Sequence, residues 1–128
     1  MKTTKTQFRY FCRRFRHWNE LMGPRQFRLV FEHNDGECPD ALATCWSDWE
    51  NGVCQVTFND EWEGNLGASD RKIDEVAFHE ARELFYSRLF HLAMERYVTI
   101  EQIHEARHAM IRRDERLIFP VFRNKLPK

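Results

Sequence analysis

No run of apolar residues in this 128-residue chain reaches the roughly 18 that a membrane-spanning helix needs. The first residues, Met1 to Tyr10, are basic but lack the apolar stretch and small-residue cleavage site of a secretory signal. No Cys-x-x-Cys pair is present. Cys12, Cys38, Cys45 and Cys54 fall at irregular spacings, which argues against a four-cysteine zinc site. Reduced, largely buried thiols in a cytosolic protein are the expectation that follows. Internal repeats and low-complexity segments are also missing. Net charge is absent too, with Lys+Arg and Asp+Glu at 20 each.

What the chain does have is aromatic material for a core. Eleven Phe and four Trp sit in a sequence that is 31% charged, the composition of a globular domain and not of a disordered tail. The length predicts one domain, residues 1–128. The balanced charge is segregated. Residues 1–28 carry eight Lys/Arg against Glu20 alone, and residues 29–70 carry ten acids with no Lys or Arg. An acidic sheet and loop packed beside a basic helix accounts for this pattern. A nucleic-acid footprint on the basic helix is the lesser alternative, because the aromatics there recur at core spacing and do not alternate with the arginines.

Periodicity predicts an α+β layout: an N-terminal helix, a three-stranded and mainly antiparallel sheet containing a hairpin, a buried helix, and a C-terminal helix. Phe8, Phe11, Phe15, Trp18 and Met22 form one stripe of a helix from about Thr6 to Met22, which Gly23-Pro24 stops. Residues 27–32 alternate with period two, and turn chemistry begins at His33. Ala41 to Trp49 and Val53 to Phe58 read as strands joined through Glu50-Asn51-Gly52, a tight-hairpin signal. Asp70 is placed to cap a helix running to about Arg96, apolar on nearly every side and therefore predicted to be buried. Thr99 and Gln102 form the capping box of a last helix to about Leu117, with Ile103, Ala106, Met110 and Leu117 as its expected core stripe.

The buried helix carries the chemistry. His79-Glu80-Ala81-Arg82-Glu83 reads H-E-x-x-E, one residue from the H-E-x-x-H signature of zinc metallopeptidases. Residues four apart share a helix face, so His79 and Glu83 can reach one metal ion, and both imidazole nitrogen and carboxylate oxygen bind Zn²⁺. Glu80 is positioned to take a proton from an attacking water. A third ligand must come from elsewhere: His104 and His108 lie one turn apart on the last helix, and His91 sits far along the same helix as His79. An ordinary ion pair between His79 and Glu83 is the competing reading of the same spacing.

Taken with the aromatic first helix and the short strand set, several segments resemble a group of small phage- and prophage-encoded proteins with a zincin-like, SprT-like metallopeptidase fold. They are Ile73 to Glu80, Glu83-Leu84-Phe85, Arg88-Leu89, Arg96-Tyr97-Val98-Thr99, Glu105 to Arg113, and Glu115. The resemblance implies a zincin-like metallopeptidase in the cytoplasm of a bacterial host cell. It implies His79 as first ligand of Zn²⁺, Glu80 as general base, and Glu83 where zincins place their second His. It also implies His108, in preference to His104, as third ligand. The carboxylate of Glu83 adds negative charge and weakens the metal as a Lewis acid, yet His/Glu/His ligand sets are chemically competent. A peptide or protein substrate is the partner so implied. A non-catalytic module of this fold, with His79, Glu80 and Glu83 in a buried polar network neutralised by Arg82, Arg88 and Arg107, is the alternative.

Overall fold

The computed structural model describes residues 1–34, 40–62, 67–94 and 99–124. Helix α1 (Lys5–Met22) begins one residue before the expected Thr6, because Thr4 caps it. The Thr4 hydroxyl accepts from the Gln7 amide, and the Gln7 side chain accepts from the Thr4 amide. This is the same reciprocal T-x-x-Q box that opens the last helix at Thr99. Phe11, Phe15 and Trp18 are fully buried along one face, and Gly23, at φ 72°, ends the helix in a conformation that disfavours other residues.

Three strands follow: β1 (Arg28–Asn34), β2 (Ala43–Asp48) and β3 (Val53–Asn59), in the spatial order β1-β3-β2. β2 and β3 are the expected antiparallel hairpin. β1 lies parallel on the other side of β3, so the sheet is mixed. The pairings place Phe31 beside Val56 and Val56 beside Cys45, on the sheet face that looks into the core. Trp46, paired with Gln55, belongs to the opposite face and is 61% exposed.

Two local features differ from expectation. β1 continues through His33, whose Nε2 meets the Thr3 hydroxyl at 2.8 Å and whose ring stacks on Phe8. Those partners lie far away in sequence, so the turn signal at His33 yields to them. The rest of that predicted loop, residues 35–39, lies outside the described residues. The hairpin turn is wider than its Asn-Gly signal suggests: the ladder closes at Asp48 and Val53, leaving Trp49 to Gly52 as the connection. Asp48 organises it by accepting from the Glu50 and Asn51 amides and from the Asn51 side chain.

Helix α2 (Asp70–Met94) is entered through Ser69, whose hydroxyl accepts from the Lys72 amide. Ser69 thus takes the capping role expected of Asp70, and Asp70 contributes its charge to the first turn. The predicted all-round burial applies to the first four turns only. Beyond Leu84, the side chains of Phe85, Leu89, Leu92 and Met94 are exposed. Residues 95–98, where the helix was expected to end, lie outside the described residues. Helix α3 (Ile100–Leu117) is followed by a single turn, α4 (Phe119–Phe122).

The core stripe predicted for α3 is on the wrong face. Ala106, Met110 and Leu117 are exposed and Ile103 is half-buried, whereas Ile111 is fully buried. Arg107, His108, Asp114 and Glu115 flank Ile111 and are partly buried. A helix normally turns its apolar stripe inward. Here charged partners on α2 reward a polar one: Arg82 donates from Nε to Asp114 Oδ2 at 2.7 Å, and the Tyr86 hydroxyl donates to the same oxygen at 2.9 Å.

The core lies between α1, α2 and the inner sheet face, with Phe119 closing it against Trp18 and Phe78. Inside it sits one completely buried carboxylate, Asp74. It accepts from Arg14 Nε at 2.7 Å, Trp18 Nε1 at 2.9 Å and Arg123 Nε at 3.0 Å, tying α1, α2 and the C-terminal segment together. Removing one member of a buried ion pair strands the other. Asp74→Ala is therefore expected to lower the unfolding free energy by about 3–5 kcal/mol in urea titrations, with Asp74→Asn between it and the parent. A loss below about 1 kcal/mol would show that the pair carries little.

Candidate metal centre

Three side chains from two helices meet at the edge of the sheet. His79 and Glu83 come from consecutive turns of α2, and His108 comes from the facing side of α3. One ligand atom from each lies within 4.8 Å of the other two. Glu83 Oε1 is 3.6 Å from His79 Nε2 and 3.1 Å from His108 Nε2. A tetrahedral ion with bonds of about 2 Å holds its ligand atoms about 3.3 Å apart, so these separations bracket what such an ion requires. The imidazole rings stand 5.4 Å apart at 65°, each offering Nε2 to the same carboxylate oxygen.

The electrostatics are those of a closed polar cluster. Burial alone would lower the His79 pKa, but hydrogen bonds to Glu115 and Glu83 and the charge of Glu80 outweigh it and push it up to about 10. Glu115 Oε1 meets His79 Nδ1 at 2.8 Å, which fixes the ring and turns Nε2 toward Glu83 and His108. Burial raises the pKa of Glu83, yet its bond to His79 and the Arg107 guanidinium more than reverse this, and the carboxylate is held below its usual range. Burial also holds His108 below 6.5, leaving a neutral imidazole with a lone pair at neutral pH.

Glu80 stands out among the carboxylates of this neighbourhood. It is 5% exposed, and its Oε2 has no hydrogen-bond partner among the described residues. Burial, followed by the nearby charge of Glu83, pushes its pKa well above the carboxylate range. An isolated buried carboxyl of this kind is costly, and it lines the same cleft as the His79–Glu83–His108 cluster. That cleft, about 1140 Å³, runs from the cluster along β2 to Trp46.

His104 stands apart from the cluster, bonded through Nδ1 to Arg107 and packed on Phe90. His91 packs on Phe90 as well, and His17 is buried edge-on to Trp18. Arg107 lies 3.8 Å from Glu83, whereas Arg82 is committed to Asp114 and Arg88 covers Trp49. Of the three arginines suggested as neutralisers, only Arg107 reaches the cluster. Glu115 was not assigned a role from sequence. The available signal was its place two turns after His108, on one stripe with His104 and Ile111.

The arginines of α1 are largely engaged within the fold. Arg14 donates to Asp74, Arg16 covers the Phe31 ring and Arg13 covers Tyr10. No helix among the described residues is long and apolar enough to cross a membrane. Comparison of the chain with protein-family models, with curated proteins and with solved structures finds no match.

The raised His79 pKa has a definite pH signature. Its contribution to stability is fully present below about pH 6.5, the ordinary histidine value, and disappears as pH rises through about 10. Glu115→Gln removes the main partner of the imidazolium. It is expected to move the His79 titration down toward the ordinary value by NMR and to flatten the alkaline loss of stability in urea unfolding. An unchanged titration would remove Glu115 from this role.

Proposed function

We propose that His79, Glu83 and His108 form a zinc site and that the chain is a zincin-like peptidase of a phage or prophage, acting in a bacterial cytoplasm. The observation that carries this reading is the convergence of two histidines and one carboxylate at ligand spacing, beside a buried carboxyl that has an unpartnered oxygen. The donor set suits Zn²⁺, with one coordination position left for chemistry. The ion, when bound, would supply Lewis acidity and balance the negative charge of Glu83.

The residues divide the remaining work. Glu115 holds the His79 ring, and Arg107 limits the negative charge on Glu83. Glu80 takes a proton from the attacking water and returns it to the leaving amine. Burial, which raises its pKa above the ordinary carboxylate range, favours the step in which it holds and returns the proton. β2 is the edge strand beside the cleft, and an extended peptide or protein segment adds to it through backbone hydrogen bonds.

A second reading has a specific observation behind it. Glu83 already receives His79, His108 and Arg107, so the cluster is electrostatically satisfied as it stands. On that reading the chain is a binding module of the same fold without catalysis.

Metal analysis of the purified protein separates the two. Near-stoichiometric zinc is expected, lost in His79→Ala, Glu83→Ala and His108→Ala and retained in Glu80→Gln. Absence of zinc, with a melting temperature that excess zinc leaves unchanged, would overturn the proposal. Zinc must displace the His79 proton, so affinity is expected to rise with pH until about 10. In the loaded protein Glu80→Gln should cut peptide turnover by about 10²–10⁴-fold while zinc content stays constant.

A further inference from the structure

Beside the cluster, at the wall of the cleft, two thiols face one another. Cys45 of β2 and Cys54 of β3 stand diagonally across the hairpin: Cys45 pairs with Val56, and Cys54 pairs with Ser47. Both point to the inner face of the sheet, and their sulfurs are 3.3 Å apart. A disulfide bond is about 2.0 Å long, so the sulfurs would have to close by about 1.3 Å, with the diagonal register of the two strands giving way as well as the side chains. Cys54 is fully buried, whereas Cys45 is half-buried and lines the cleft. Cys45 therefore borders the cleft, and Cys54 lies behind it.

We propose that Cys45 and Cys54 form a reversible redox-modification site, closed to a disulfide by a small disulfide oxidant such as oxidised glutathione. The Cys45 sulfur, as thiolate, attacks one sulfur of the oxidant, breaking its S–S bond and expelling one thiolate. Cys54, as thiolate, then attacks the Cys45 sulfur of the mixed disulfide and expels the second thiolate. Two protein thiols are oxidised, one disulfide is reduced to two small thiols, and the two protein protons pass to the departing thiolates. The hydrogen bond of Cys45 with Cys54, and then burial, raise the Cys45 pKa well above the ordinary thiol value, which slows the first attack. The bond would fasten the edge strand β2 to β3 where both border the cleft.

The test does not depend on metal or activity. The folded chain is incubated with oxidised glutathione, quenched in acid, alkylated and mapped by mass spectrometry. Expected is a Cys45–Cys54 cross-linked peptide, removed by dithiothreitol. In Cys12→Ser/Cys38→Ser, free thiols should fall from two to none. In Cys54→Ser, Cys45 should instead retain a stable glutathione adduct. The same incubation in urea serves as a comparison, where pairings among all four cysteines are expected. Unmodified thiols in the folded chain, a lasting adduct on Cys45 with Cys54 intact, or a cross-link through Cys12 or Cys38 would each overturn the proposal.

Discussion

The structure depends on how α2 disposes of the charges it takes out of water. A buried charge must find a partner, and each partner found by α2 fixes a neighbour. Asp74 draws in Arg14 from α1 and Arg123 from the C-terminal segment. Arg82 draws in Asp114, and His79 and Glu83 draw in Glu115 and His108, all from α3. The sheet supplies apolar contact on the remaining side. Helix packing here is directed by pairing as much as by shape.

Within that scheme Glu80 is informative because it breaks the rule. Structural carboxylates on α2 have cations or imidazoles against them, whereas Glu80 keeps an oxygen without a partner in a buried place. Such a group is expensive to fold around, and it adjoins the one group of possible ligands that converges among the described residues. Local rules tend to fail where function requires them to.

The layout was legible because its signals were local. The aromatic stripe of α1, the Asn-Gly hairpin and the Thr99 capping box each lie within a few residues, and the α+β order follows from them. The spacing of His79 and Glu83 is likewise intrinsic to a helix. Other features depended on distant partners. α3 was read by apolar periodicity, which chose Met110 and Leu117, but α2 presents Arg82, His79 and Glu83 to it, and its polar stripe turned inward. His33 joined β1 through Thr3 and Phe8, thirty and twenty-five positions away in the chain. The parallel placement of β1 and the role of Glu115 were hidden for the same reason. No single window of sequence contains both members of such a pair.

The cluster also joins two elements held by unlike forces. His79 and Glu83 stand on the half of α2 that is sunk in the aromatic core, while α3 has a single fully buried side chain, Ile111, and otherwise meets α2 through charged groups and the packing of His104 and Arg107 on Phe90. The pairs Arg82–Asp114 and Arg107–Glu83 are themselves mostly buried, so salt screens them far less than exposed pairs. An ion shared by Glu83 and His108 would act as a rivet between the two helices. Its departure would be felt first as opening of α3, with the remainder of the molecule intact.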